Sequence, residues 1–311
     1  MSPLQQSIMA LRELIHFDAA QLVAYLPANN LYTSMWQHGY TKASIKALTY
    51  DFPTLYPPGF TGQLSPQEQL PPSISDCADQ MYPPFLTSPI YQSALQPQGF
   101  QDGMTIELGF PGNYLGLAHF SSCQAGVFGH RARTLARGAQ LLLESALREQ
   151  LPDAHAVGST ILRFAPCAGQ HLRIMQPSSN FDNERLAQCV AATKGDTLSC
   201  FWLERRRTFR LHAQRTGNGE ILVTLTPASL PMAMTSAEMR VLSWLVAGLG
   251  DRDIARHLCL SARTVNSHVA SLLRRMCVQR RTQVAARAAA NNWFVPDPRG
   301  YILSSVPGLG N

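Results

Sequence analysis

Three short amphipathic segments follow one another between Thr235 and Met276 with only a few residues separating them, and no other feature of the chain restricts its fold as tightly. Thr235-Ser-Ala-Glu238 has the spacing of a capping box, so a helix begins there. Met239, Leu242, Leu245 and Val246 form its apolar face, and Gly248 and Gly250 are expected to end it in a left-handed turn that a Cβ would obstruct. A second helix is expected over Asp251 to Leu258, with Asp251 and Asp253 in the first turn, where the helix dipole favours acids. Ile254, Ala255 and Leu258 face inward. Ser261 stands where an N-cap belongs, so a third helix starts at Ala262 or Arg263. At about 100° per residue, Val265, Val269, Leu272, Leu273 and Met276 fall in one stripe. The opposite side carries Arg263, Ser267, Ala270, Ser271 and Arg274, flanked by Asn266 on one side and by Thr264, His268 and Arg275 on the other. An alanine-rich fourth helix, Arg281 to Trp293, closes the unit. Two helices joined by so tight a turn, the second basic on its outer face, form a helix-turn-helix whose second helix suits a DNA major groove.

The charge points the same way. From Met232 to Val295 there are nine arginines and three acids, a balance of 9 − 3 = +6, which equals the net charge of the entire chain. The remaining residues therefore cancel, 17 basic against 17 acidic. A charge concentrated in one small domain is the footprint of a polyanionic partner, since counterion release from phosphates supplies most non-specific affinity.

The runs T-S-A-E-M-R-V-L, D-R-D-I-A-R-H-L, L-S-A-R-T-V-N-S-H-V, L-L-R-R-M and V-Q-R-R-T-Q resemble the DNA-binding domain of the LuxR (GerE-type) bacterial transcriptional regulators, without a gap from Met234 to Trp293. The resemblance implies a four-helix domain in which Asn266, Ser267 and Ala270 face the bases. With them, Arg252, Arg263, Thr264, His268, Arg274, Arg275 and Arg281 are the candidate DNA-binding residues. Ala237, Arg240, Gly250 and Asn266 depart from the usual family residues, and Asn266 stands where a lysine is common. Asparagine can bond adenine N6 and N7 together, which implies a preference for an A·T pair at that position; the alternative is that Asn266, on the helix flank, bonds a phosphate or a neighbouring carbonyl.

The chain has 311 residues, 45% of them hydrophobic, enough for two or three domains with cores of their own. No run of about 18 apolar residues suits a membrane span, and the N-terminal MSPLQQSIMALRELIHF has no secretory pattern, so a cytoplasmic protein is expected. The seven cysteines are widely spaced, with no C-x-x-C pair, and are read as reduced thiols with neither disulfide nor zinc. A helix is expected at Leu4 to Ile15 and a strand at His16 to Tyr25. Prolines crowd the stretch from Tyr50 to Pro97, which therefore reads as loop with short helices, its aromatics covering a core or lining a pocket. Beyond it the pattern gives a helix, a pair of strands, and a long helix with Leu135, Leu141, Leu142, Ala146 and Leu147 as its apolar face. This order, with G-F-x-D-x-x-x-x-E-L, G-L-A-H-F and V-F-x-x-x-x-A, resembles a diverged GAF-like sensory domain over residues 1–150. Acyl-homoserine-lactone sensors carry a W-x-x-x-Y with a following Asp-Pro; the nearest candidate here, Tyr50-Asp-Phe-Pro53, lacks that spacing, so a homoserine lactone is not expected.

Five strand-length segments between residues 158 and 226 (160–164, 171–175, 198–203, 208–213 and 220–225) give a small β-rich unit, PAS-like or a simple linking sheet, with a hairpin turn at Asn218-Gly219. Arg205, Arg206, Arg207 and Arg210 read as a solvated cluster. Residues 227–231 form a hinge, 232–295 the DNA-binding domain, and 296–311 a loose tail. The expected class is α+β. The expected function is a sequence-specific transcriptional regulator, acting as a homodimer on double-stranded promoter or operator DNA, with a small-molecule or protein effector and, for an activator, RNA polymerase as a further partner. No cofactor, metal, membrane partner or catalytic residue is expected, as no enzyme motif occurs. The alternative is a protein-interaction adaptor whose helix-turn-helix no longer binds DNA.

Overall fold

The computed structural model describes residues 3–27, 30–64, 70–77, 84–110, 113–151, 158–167, 172–175, 177–193, 195–217 and 219–306. The chain is α+β and divides into two units, 1–152 with 216–218, and 153–215 with 219–311.

In the first unit, β1 (Ala19–Leu26), β2 (Leu31–His38), β3 (Asp102–Phe110) and β4 (Asn113–Ser122) form an antiparallel sheet in the order β2-β1-β4-β3. Side chains alternate across a strand, and here both faces are covered. α1 (Pro3–Leu14) lies along α2 (His130–Gln150), and α2 lies against β3. On the other face, Val23 and Leu117 meet Leu48 and, from the proline-rich region, Phe52, Phe85 and Leu95, while Gln21 Nε2 donates to Thr49 Oγ1 at 2.7 Å. The described parts of that region are short helical turns, as its prolines require. Gly116 (φ +143°) allows β4 to approach β1 so closely that a Cβ would lie 2.0 Å from the Val23 carbonyl oxygen.

Two expectations for this unit are corrected. The first strand starts at Ala19 and not at His16, because the Asp18 carboxylate accepts from Cys123 N (2.7 Å) and Ser122 Oγ (3.1 Å) and fixes the entry as loop. In α2, Leu135, Leu141 and Leu142 are exposed, whereas Ala136, Leu143, Ala146 and Leu147 are buried together with Arg133, Gln140 and Glu144.

The second unit opens with a five-stranded antiparallel sheet, β5 (Thr160–Pro166), β6 (Leu172–Ile174), β7 (Thr197–Glu204), β8 (Arg207–Arg215) and β9 (Ile221–Pro227), in the order β6-β5-β9-β8-β7. The β8–β9 hairpin joins Arg215 to Ile221 in register; of its two expected turn residues, Gly219 has φ +83° and Asn218 lies outside the described residues, as does His171. One helix was not expected, α3 (Asn183–Ala191), started by Asp182 accepting from Arg185 N at 3.0 Å. Four further helices, α4 (Ser236–Val246), α5 (Asp251–Leu258), α6 (Ala262–Arg275) and α7 (Arg281–Ala290), complete the unit with a short helix at Tyr301–Ser305.

The sheet and the helices belong to one compact unit. Phe201 N donates to the Phe294 carbonyl at 2.8 Å, and Phe201 and Leu203 enter the helical core. Arg210 is not merely solvated: its guanidinium donates to the Asn292 carbonyl (3.2 Å) and lies over the Phe201 ring. Arg205, Arg206 and Arg207 are exposed in the β7–β8 turn. The expected loose tail is packed as far as Val306. Asp297 is buried and accepts from Ile302 N (2.7 Å), which seats Ile302, Leu303 and Val306 in the core of the five-stranded sheet. Among the described residues, no helix is long and apolar enough to cross a membrane.

Candidate nucleic-acid interface

The four helices form where the sequence marks their ends. Thr235 Oγ1 accepts from Glu238 N (3.2 Å) and Glu238 Oε2 accepts from Thr235 N (2.8 Å), so the capping box is complete. Gly248 (φ +81°) turns the chain after α4, and Leu249 N returns to the Trp244 carbonyl at 3.1 Å. Gly250 takes no part in that left-handed turn: its backbone is extended and it is the N-cap of α5, in the place where the family resemblance has a polar cap. Cys259 adopts the left-handed conformation (φ 53°), Leu260 N bonds the Ala255 carbonyl (2.9 Å), and Ser261 Oγ accepts from Thr264 N (3.0 Å) to start α6. α7 ends at Ala290 and not at Trp293, because Asn292 turns left-handed and Trp293 N folds back to the Ala288 carbonyl (2.8 Å).

Val265, Val269, Leu272 and Met276 of α6 are buried against Met239, Leu242 and Leu245 of α4, Ile254 of α5, and Val284 and Ala288 of α7. The apolar stripe is therefore internal, and the opposite face meets solvent. Arg263, Asn266, Ser267, Ala270 and Arg274 are exposed along it, with Thr264 and His268 half-buried at its edge. Two hydroxyls on this helix are partly committed. Ser267 Oγ donates to the Arg263 carbonyl (3.1 Å), so it meets an external group as an acceptor, and the Thr264 hydroxyl pairs with Ser261 Oγ (2.8 Å).

The ion pairs sort the basic residues. Each of the three acids of the helical domain holds one arginine: Glu238 with Arg275 (3.2 Å), Asp251 with Arg281 (3.1 Å) and Asp253 with Arg256. Arg275 also donates to the Met232 carbonyl (3.1 Å), and Arg281 to the Leu249 carbonyl (2.7 Å). These two candidate residues are thus placed as braces between helices. Arg252, Arg263 and Arg274, all exposed, have no ion pair among the described residues. Arg240, Arg280 and Arg287 likewise carry unpaired charge in the same domain, which the candidate set did not include. Arg287 donates to the Met276 carbonyl at 3.0 Å.

Glu238 is the functional residue that sequence reasoning only half identified. Its capping role was legible, but its second oxygen, Oε1, accepts from Ser271 Oγ and Arg275 Nε of α6. This buried carboxylate therefore holds the outward-facing helix against α4. Burial raises its pKa, but the hydrogen bonds from Ser271, from the backbone and hydroxyl of Thr235, and from Arg275 outweigh burial and hold it at about 2. The signal available in sequence was the scarcity of acids, three in a domain of nine arginines, each of which must be assigned to a brace.

No curated protein matches the chain. Among solved structures, SdiA of Escherichia coli is similar over 94% of this chain and 91% of its own, at 17% identity and a TM-score of 0.37. The GAF domain of an Acinetobacter phosphoenolpyruvate-protein phosphotransferase is similar over 51% of this chain and 87% of its own, at 14% identity and a TM-score of 0.34. Vibrio cholerae VqmA is similar over 51% and 67%, at 12% identity and a TM-score of 0.20. Likenesses at such scores define no common arrangement. The model of the luxR family of bacterial regulatory proteins, GerE, matches residues 232–288, which span α4 to α6 and most of α7. Residues 232–288 are thus a luxR-family regulatory domain, and this chain carries it in the same compact unit as a five-stranded sheet.

Proposed function

We propose that the protein is a DNA-binding transcriptional regulator whose N-terminal unit, read as GAF-like, senses a small molecule or a partner. The observation that carries this reading is the outer face of α6. Arg263, Asn266, Ser267, Ala270 and Arg274 are exposed on a helix whose apolar side is fully used, in a domain that holds the chain's entire net charge. Phosphate contacts from Arg252, Arg263 and Arg274 set the register on the duplex, and Asn266, Ser267 and Ala270 read base edges. One such helix makes few contacts, so the protein acts as a homodimer that sets two half-sites about one helical turn apart. The effector shifts the population or spacing of that dimer. The reading places the protein in the bacterial cytoplasm, with RNA polymerase as a partner when it activates.

The test is selection of binding sites from random DNA by the full chain, followed by retardation at increasing salt. A preferred pseudopalindrome, with affinity that falls linearly in log salt, is the expected result. Asn266→Lys should change the preferred base at one position of each half-site, worth about 1 to 3 kcal/mol of discrimination. No DNA bound at any salt concentration would favour the adaptor reading instead.

A further inference from the structure

The first unit has a cavity between β3, β4 and the aromatic cover, walled by Phe52, Phe60, Phe85, Phe120 and Leu95 among others. Among the described residues, its walls contain no Asp, Glu, Lys or Arg. The space between them is about 400 Å3, part of it open to solvent, a slot lined mostly by rings. Most polar groups on its wall pair with one another. The Tyr40 hydroxyl bonds Ser121 Oγ (2.8 Å), and Thr105 Oγ1 bonds His119 Nδ1 (2.9 Å).

Two polar atoms do not. Ser73 Oγ is buried without a partner, and His119 Nε2 has no well-formed hydrogen bond, although the Leu48 carbonyl lies near enough to act on the imidazole. Both side chains are about 98% buried. A buried polar atom left unpaired costs about 1–3 kcal/mol, and native interiors contain few of them. Two on the wall of one slot ask for a ligand that pairs with both. Burial pushes the His119 pKa down to about 3, against a smaller opposing pull from the Leu48 carbonyl, so the imidazole is neutral at physiological pH. A charged ligand would enter a wall with no counter-charge and lose its hydration uncompensated. Phe52 meets the His119 ring edge to face at 4.7 Å, a contact that favours a flat aromatic neighbour.

Resting on the sensor reading above, we infer that this cavity binds an uncharged, flat, largely apolar molecule by a single polar edge, held between Ser73 Oγ and His119 Nε2. A hydroxyl on an aromatic ring fits this description, because it can donate to one atom and accept from the other, whichever imidazole nitrogen carries the proton. The segment carrying Ser73 is clamped from behind. Arg133 of α2 donates to the Pro71 carbonyl (2.7 Å) and pairs with Asp76 (2.6 Å), and Ser73 bridges to Met104 of β3. Its position is therefore fixed before a ligand arrives.

The test titrates the full chain with four probes while the methyl signals of Leu48, Ile74, Leu95 and Met104 are followed by NMR. 4-Methylphenol should shift these methyls and bind about tenfold more tightly than 1,4-dimethylbenzene, which has the same shape without the hydroxyl, a difference of about 1.4 kcal/mol. 4-Methylbenzoate and octan-1-ol should bind more weakly than 4-methylphenol. Ser73→Ala and His119→Phe should each erase the preference for the phenol. Should His119→Phe not fold, Ser73→Ala alone decides, since it removes only a hydroxyl. Equal affinities for the phenol and the hydrocarbon, or tighter binding of the benzoate or the alkanol at the same methyls, would overturn the ligand class and leave the sensing cavity standing. If no probe moved the cavity methyls, the ligand class and the small-molecule sensor reading would fall together.

Discussion

The helices α6 and α2 are both amphipathic by sequence, yet they bury their faces by opposite rules. In α6 every residue of the apolar stripe except the half-buried Leu273 is internal, and the arginines and Asn266 are outside. In α2, Leu141 is 75% exposed and Leu142 64%, while Arg133, Gln140 and Glu144 are inside. The reason is that each of the buried polar groups is satisfied. Glu144 Oε1 accepts from Gly109 N (2.8 Å) and Gln140 Nε2 (2.7 Å), and Gln140 Oε1 accepts from Arg137 (2.7 Å). Helical period thus locates the faces of a helix. Where apolar residues occur on more than one side, hydrogen-bond partners contributed by distant segments decide which face is core.

The sharpest way to break this comparison is Arg133→Met. The guanidinium is almost wholly buried, and its removal leaves the Pro71 carbonyl and Asp76 without their donors. Breaking a buried, hydrogen-bonded ion pair is expected to cost about 3 kcal/mol, less than a fully desolvated pair because Asp76 is partly open to water. Denaturant unfolding checks it. Unchanged stability would mean that the polar side of α2 is not its core face.

The corresponding polar anchor in the helical domain is Glu238, and acid probes it. Its pKa is lowered from 4.5 to about 2 on folding, so its contribution is fully present above pH 4.5 and is lost as pH falls through 2. Stability should decline by about 2–3 kcal/mol across that window from this group alone. Glu238→Gln should be about 2 kcal/mol less stable at neutral pH and show a flatter profile between pH 4.5 and 2. Parallel profiles for the two proteins would remove the carboxylate from its role as a brace.

These anchors also mark how far the sequence could be read. The helical domain was legible nearly residue by residue, because its signals are local: the Thr235 box, Gly248, the Ser261 cap and the stripe from Val265 to Met276 each act within one or two turns. Its outward-facing residues followed from the same periodicity. What could not be read were pairings across 30 residues or more, such as Glu238 with Arg275 and Arg281 with Asp251, which tie two of the expected DNA contacts to neighbouring helices. The N-terminal unit was less legible for the same physical reason. β2 and the inner face of α2 are specified by partners far along the chain, and no local pattern marks Ser73 or His119 as unpaired.

A smaller effect separates brace from contact within the helical domain. Arg274→Ala should weaken binding to every DNA sequence alike and reduce the log–log salt slope by about one unit, since its exposed charge is free to meet a phosphate. Arg281→Ala should leave the slope nearly unchanged and instead lower the stability of the domain by about 0.5–1 kcal/mol, the value of a half-exposed ion pair together with the hydrogen bond to the Leu249 carbonyl. Retardation at several salt concentrations, beside thermal unfolding of the same variants, tells the two apart. Equal slope changes for both would return Arg281 to the set of phosphate contacts.

The smallest expected effect is the most direct check on the outer face of α2. Leu141 and Leu142 look like core residues in sequence, and a double substitution to Gln in a true core would cost several kcal/mol through lost burial and unpaired amides. On the exposed face seen here, both amides reach water and little apolar area is surrendered. Glutamine is also about as good a helix former as leucine. Leu141→Gln with Leu142→Gln should therefore change the unfolding free energy by less than about 0.5 kcal/mol, as surface substitutions usually do. Unfolding is best measured at two protein concentrations tenfold apart. A loss above about 1 kcal/mol that grows with concentration would show these leucines buried between two copies of the chain, and the same loss at both concentrations would place them in the core of a single one.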